Sequence, residues 1–184
     1  MTRIVAGRLG GRRLVVPPGS ATRPTSDRVR EALFSTVDSM TTLAGSRFAD
    51  LYAGSGAVGL EAASRGAAAV LLVESDARAA RAIRANIAAL GLAGTATLIT
   101  AKVGPTLATP PDRPYDVVFA DPPYSAGEPE IAALLAALAP WLTPDGLVIL
   151  ERSTRSPEPS TVDALPLLRT KRYGESALHY LTRT

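Results

Sequence analysis

The chain has 184 residues, of which 46% are hydrophobic and 20% charged, enough to bury one sizeable core and too apolar for disorder. It has no cysteine and one histidine, His179, which excludes disulfides, thiolate metal sites and cysteine nucleophiles, and permits a Ser-His-Asp relay only with His179 as base. The net charge of +3 is unevenly placed: residues 1–30 hold seven arginines against Asp27 alone, a local +6, which leaves −3 for the rest.

In chain order, residues 3–9 and 12–16 read as two short strands joined at Gly10-Gly11, a pair suited to a tight hairpin. Pro17, Pro18 and Gly19 end that hairpin. Val29, Leu33, Val37 and Met40 then recur at near-helical spacing, which predicts a helix over 27–40. From Arg47 onward short apolar strands alternate with helices, the pattern of an α/β sheet with parallel strands. Strands are expected at 48–52, 69–74, 95–100, 116–120 and 147–151, with helices at 58–65, 77–90 and 129–142. The 103–108 connection has room for a turn of helix. Residues 152–160, rich in Ser and Pro, read as a surface loop. A last hairpin, 167–173 and 176–181 around Gly174-Glu175, is expected at the sheet edge. This divides the chain into a basic segment, 1–40, and a larger domain, 41–184. The longest apolar runs, 67–73 and 131–139, fall short of the roughly 18 residues a membrane span requires. The arginine-punctuated start is not an apolar leader, so a soluble, cytoplasmic protein is expected.

Two loops carry the chemistry. The first, Asp50-Leu51-Tyr52-Ala53-Gly54-Ser55-Gly56, leaves the first sheet strand and opens a helix, where unpaired N–H groups and absent side chains let a ligand approach the backbone. Glu74 follows Gly54 by 20 positions at the end of the second strand, where a carboxylate can hold both hydroxyls of a ribose. Together they imply a ribose-bearing cofactor. Gly54, Gly56 and Gly59 also satisfy the dinucleotide pattern G-x-G-x-x-G, so a nicotinamide-dependent oxidoreductase is an alternative. A glycine turn that only lets a helix pack on a sheet is the blander one.

The second loop, Asp121-Pro122-Pro123-Tyr124, follows the fourth sheet strand and so reaches the same edge. Consecutive prolines stiffen the backbone and leave preceding carbonyls free to accept. The Asp121 carboxylate and a carbonyl near Pro122 would hold the two hydrogens of an exocyclic amine, with Tyr124 as a stacking face. Read structurally, Asp-Pro-Pro is simply a rigid turn.

These two loops resemble those of class I S-adenosylmethionine-dependent methyltransferases that modify exocyclic amines of bases. Three N-terminal stretches, Arg3-Ile4-Val5-Ala6-Gly7, Gly11-Arg12-Arg13-Leu14 and Arg23 through Phe34, together with Gly54 through Ala62, closely resemble the RsmD family, and the resemblance runs through essentially the whole chain. It implies a Rossmann-like, doubly wound, mostly parallel sheet with an antiparallel C-terminal strand and an N-terminal hairpin extension. It also implies S-adenosylmethionine as cofactor and no metal. The reaction it implies is methylation of one guanine N2 in 16S ribosomal RNA within the 30S subunit or an assembly intermediate, as by the guanine-966 enzyme, by a monomer. Residue by residue, Asp50, Tyr52, Gly54, Ser55, Gly56 and Glu74 would bind cofactor. Asp121, Pro122, Pro123 and Tyr124 would hold the base. Arg3, Arg8, Arg12, Arg13, Arg23, Arg28 and Arg30 would meet RNA. Tyr52 and Tyr124 stand where the family often has Phe, and Thr100-Ala101-Lys102 lacks the acid that many methyltransferases place near the adenine amine.

Adenine-N6 methylation of nucleic acid uses a similar Asp-Pro-Pro-Tyr motif and is a further alternative, although the chain has little room for a sequence-reading domain. A noncatalytic RNA-binding module would leave the cofactor loop superfluous. His179 is expected as an edge-strand residue, Asn86 as packing or solvent-facing, and Trp141 as core. Glu151, at a strand end, reads as readily as surface as it does as part of the site.

Overall fold

The computed structural model describes residues 1–19, 25–160 and 162–184. Among these, the strands are β1 (Arg47–Leu51), β2 (Ala69–Glu74), β3 (Ala96–Thr100), β4 (Tyr115–Ala120), β5 (Leu142–Ser153), β6 (Leu167–Tyr173) and β7 (Ser176–Thr182). The helices are α1 (Asp27–Met40), α2 (Ala57–Ser64), α3 (Ala77–Ala89), α4 (Val103–Leu107) and α5 (Glu128–Leu138). The strands form one sheet in the order β3-β2-β1-β4-β5-β7-β6, with β7 antiparallel to both neighbours and the other pairs parallel.

The chain winds outward from β1 to β3, then returns to start β4 on the other side of β1. Loops leaving β1 and β4 therefore part at the carboxyl edge and open a crevice, the usual place for a ligand in such sheets. The parallel strands are covered on both faces, which is why they read as continuous apolar runs. One face packs Phe48, Leu72, Phe119 and Ile149 against α1, α2 and α3. The other packs Leu51, Val118 and Leu150 against Leu135, Leu138 and Trp141 of the α5 region. Ile4 and Leu14 of the N-terminal segment belong to the first of these clusters.

Local chemistry sets the helix bounds. The Ser26 hydroxyl accepts from the Val29 N–H at 3.2 Å and starts α1 where the spacing predicts it. Asp76 caps α3 by accepting from the N–H groups of Arg78 and Ala79. Helix α5 stops at Leu138, earlier than the expected 142, and a 3₁₀ turn over Ala139–Trp141 follows. Pro140 has no N–H to extend the α-helical ladder. Trp141 stacks on Tyr115 in the core, as expected.

Two expectations are corrected. The N-terminal hairpin is shorter than 3–9 paired with 12–16: pairing runs only from Thr2 to Ile4 against residues 11–14. Beyond Ile4 the backbone leaves its partner because stronger acceptors capture it. The Glu61 carboxylate takes the Val5 and Ala6 N–H groups at 2.7 and 2.9 Å, and Ser64 takes those of Arg8 and Leu9. His179 is not on an edge strand. The second strand of the last hairpin, β7, inserts between β5 and β6, so His179 is 3% exposed. Its Nδ1 lies 2.9 Å from the Thr170 hydroxyl, and burial lowers its pKa toward the neutral form. It is not among the residues that line the crevice, so it is not placed to act there as a base.

Glu61 holds the N-terminal segment. It is fully buried, pairs with Arg65 Nε at 2.9 Å, and lies 4.0 Å from Arg30. Glu61→Ala strands the Val5 and Ala6 N–H groups in a dry site and leaves Arg65 with Glu31 and Arg30 with Asp27 as their remaining carboxylates. The expected loss is about 3–5 kcal/mol of stability in urea unfolding, with early proteolytic clipping ahead of residue 19.

Candidate active site

The crevice is a cavity of about 440 Å³ that collects residues from four segments: 16–19 with Thr25, the β1 loop, the β2 loop and the β4 loop. Asp50, Tyr52, Gly54, Ser55, Glu74, Asp121, Pro122, Pro123 and Tyr124 all line it. Gly56 does not. It is the N-cap of α2 at φ 82°, and a Cβ there would meet Leu72, Leu60 and Ile83 at 3.1 to 3.4 Å. Its contribution is to turn the chain from β1 into α2 in a left-handed conformation that a larger residue resists.

Asp50 is 1% exposed and accepts from the Gly59 N–H at 2.8 Å, tying the end of β1 to the first turn of α2. The close approach needs Gly59: a Cβ would lie 3.0 Å from that of Asp50 and 2.9 Å from Leu72. Burial outweighs this hydrogen bond and pushes Asp50 up to about 7. Glu74 accepts from the Gly54 N–H at 2.7 Å and from the Asp76 N–H at 2.8 Å. It thus joins the loops that follow β1 and β2. An ionised carboxylate has about four acceptor positions, so two remain for a ribose diol. The cavity falls within the size range of cofactor sites, and the residues present fit a ribose-bearing cation.

Across the crevice, Asp121 follows β4 directly. Burial, then the charges of Glu151 and Asp50, push it up to about 8. Pro122 is buried, and Tyr124 stands 72% exposed at the mouth. Arg152 braces this loop from behind, donating to the Ala126 carbonyl and to Glu128.

Several participants were missed or misread in the sequence. Asn86 is 1% exposed and bonds the Val15 backbone on both sides and the Ser55 carbonyl, clamping the N-terminal segment to the glycine loop. Glu151 is 7% exposed and accepts from the Thr25 hydroxyl at 3.1 Å. Burial raises its pKa as well. A polar residue in an otherwise apolar helix face is the signal that could have found Asn86. Among the arginines expected to meet RNA, Arg3, Arg8, Arg12, Arg13 and Arg28 are exposed, though Arg3 pairs with Asp27 and Arg12 bonds the Ala89 carbonyl. Arg23 lies outside the described residues. Arg30 is a correction: it is fully buried and donates to Asp27 and to the Arg3 carbonyl, out of reach of any phosphate. Its place on the inner face of α1 decides this. Among the described residues no cluster of His, Asp or Glu could hold a metal, and no helix is long and apolar enough to cross a membrane.

Sheet order, antiparallel β7, switch-point crevice and glycine loop define a class I methyltransferase fold. The chain matches the family described as Conserved hypothetical protein 95 over residues 2–182 and belongs to it, which is the RsmD family. It is 35% identical over 181 residues to the Ribosomal RNA small subunit methyltransferase D of Escherichia coli strain K12, covering 98% of this chain and 89% of that one. The solved structure of yhhF from Escherichia coli has a TM-score of 0.85 at 35% identity, covering 98% and 97% of the two chains. Magnesium protoporphyrin IX methyltransferase ChlM from Synechocystis PCC 6803, solved with SAM bound, shares the fold alone, with a TM-score of 0.67 at 16% identity over 85% and 79%.

The buried acids set a pH dependence. Asp50 and Asp121 keep protons in the folded chain that the unfolded chain releases near pH 4, so folding stability falls as pH rises from about 4 to 8. Asp121→Asn removes one of these charges without changing shape. Its melting temperature is expected to exceed the wild type's by a few degrees at pH 8.5 and to match it at pH 4.

Proposed function

We propose that this chain transfers the methyl group of S-adenosylmethionine to the exocyclic N2 of a guanine in 16S ribosomal RNA of the small subunit, as a single chain in the cytoplasm. The observation that carries the reading is the placement of Asp121-Pro122 across one cavity from Gly54 and Glu74. That juxtaposition lets an amine held by the first pair face a cofactor held by the second. The near full-length likeness to a small-subunit ribosomal RNA methyltransferase supports the substrate class. The nicotinamide alternative has no such support among the relatives.

The cofactor would supply a methyl group already activated on a sulfonium, so the chain's work is alignment and exclusion of water. Glu74 would hold the ribose, while the Gly54 and Ser55 backbone and the Asp50 carboxyl face the methionine end, where the sulfonium charge would favour ionised Asp50. Asp121 and a carbonyl beside Pro122 would accept the two N2 hydrogens, which turns the nitrogen lone pair toward the methyl and offsets its delocalisation into the ring. The N–H donors of the bound base favour the ionised form of Asp121, which can then take the proton lost from nitrogen. Tyr124, at the mouth, offers a face for the base to stack on.

The test is methyl transfer from labelled S-adenosylmethionine to unmodified small subunits, with mapping of the modified base. Label on guanine N2 is expected, and label on adenine N6 would replace the reading with its nearest competitor. Asp121→Ala is expected to lose at least about 100-fold in kcat while binding cofactor normally. Full activity in that variant would remove Asp121 from the reaction.

The exposed arginines supply the salt-dependent part of binding. Changing Arg8, Arg13 or Arg28 to Ala is expected to weaken subunit binding and to lower the slope of log K against log salt by about 1 for each phosphate that is no longer neutralised. The same substitution at buried Arg30 should lower thermal stability instead. Unchanged salt slopes in all three exposed variants would move the RNA interface elsewhere.

A further inference from the structure

The end of β5 carries an acid that the reading above leaves without a task. Glu151 is 7% exposed, and no ion pair with a described residue reaches it. Arg152, adjacent in sequence, bonds instead to Ala126 and Glu128.

Strand register says where Glu151 sits. Ala120 of β4 pairs with Leu150 of β5, so Asp121 and Glu151 occupy the next positions on two adjacent parallel strands and share a face of the sheet. Phe119 and Ile149, two residues earlier, lie on that face, as does Asp50, which pairs with Phe119. The three acids therefore share one face near the carboxyl edge, with Asp121 level with Glu151 and Asp50 two residues back. Thr25, whose hydroxyl bonds Glu151 at 3.1 Å, lines the same cavity as Asp121. Burying a carboxylate with neutral hydroxyl donors and no cation among the described residues is unfavourable in an empty site, and Asp121 beside it makes ionisation harder still. Donors on a bound substrate would relieve both.

Guanine has such donors side by side: the two hydrogens on N2 and the one on N1. Adenine and 2-aminopurine each carry an amine beside a bare N1, whose lone pair repels a carboxylate. Resting on the guanine-N2 reading, we propose that Glu151 is the specificity-determining acceptor of the target-base site. It takes guanine N1–H while Asp121 and the carbonyl beside Pro122 take the N2 hydrogens. The Thr25 hydroxyl orients the Glu151 carboxylate for that contact, so the N-terminal segment takes part in choosing the base. A site built to satisfy a donor rejects an analogue lacking it far more strongly than an apolar pocket rejects a change of size.

The probe is 2-aminopurine, which keeps the N2 amine and lacks N1–H. Small subunits reconstituted with 16S RNA carrying guanine or 2-aminopurine at the mapped target position are compared by kcat/KM with labelled S-adenosylmethionine. Wild-type enzyme is expected to prefer guanine by at least about 100-fold. Glu151→Gln, whose amide N–H can face a bare N1, should slow on guanine and bring the ratio within about tenfold, with cofactor affinity unchanged. Equal wild-type rates on the two bases overturn the proposal with no variant needed. So does a Glu151→Gln enzyme that binds cofactor and keeps the wild-type ratio. Wild-type label on another base or atom overturns the guanine-N2 reading itself, a result seen in the mapping before any ratio is taken.

Discussion

The fold depends on one buried carboxylate. Glu61 lies on α2, the helix that the glycine loop opens, and it binds the backbone of Val5 and Ala6, 56 and 55 residues away in sequence. Arg65 neutralises it from the end of the same helix while stacking 4.8 Å over Phe34 of α1. Arg30, also on α1, stands 4.0 Å from it. One acid thus binds the N-terminal segment, α1 and α2 into a unit. The consequence reaches the crevice, because residues 16–19 and Thr25 belong to that segment and form one wall of the cavity. Asn86 fastens the same wall to the glycine loop at Ser55. A wall held at two points by buried hydrogen bonds can place a hydroxyl such as that of Thr25 against a specific acid.

The group Asp50, Asp121 and Glu151 works against this stability. Each acid is raised by burial, and no ion pair with a described residue compensates it. In an empty site the arrangement is costly. Filled as proposed, it would complement a sulfonium cation at the Asp50 end and the N–H donors of a guanine at the other. Strain of this kind, gathered at the carboxyl edge of the sheet, is the pattern expected when binding groups are kept at the expense of folding.

What was legible in the sequence was what sequence neighbours determine. The turn Gly54-Ser55-Gly56, the acid Glu74 at the end of β2 and the rigid Asp121-Pro122-Pro123 each declare themselves locally, and alternation of strand and helix brings their strands into one sheet. The N-terminal hairpin was only half legible, since Glu61 and Ser64 compete for its N–H groups from a distant helix. Asn86 and Glu151 were not legible as functional because their partners, Val15 and Thr25, lie 71 and 126 residues away. His179 was misplaced for a topological reason: a hairpin can insert either strand beside β5, and periodicity does not say which.

Arginine gives the sharpest case. Charge counting treats Arg3, Arg8, Arg12, Arg13, Arg23, Arg28 and Arg30 as one basic patch, but burial divides those among the described residues. Arg30 is spent inside the protein, and the patch loses one charge to the fold. Its guanidinium fixes the carbonyl of Arg3, whose own side chain is exposed and shares Asp27 with it. The buried arginine therefore fixes where an exposed one is displayed. Fork geometry explains why arginine serves both positions: the planar guanidinium holds a carbonyl and a carboxylate together inside, and presents several donors toward phosphate outside. A net charge summed over a segment cannot separate these uses. The side of the helix on which each residue falls can, because Arg28 and Arg30 are two positions apart on α1 and so point about 200° apart around its axis.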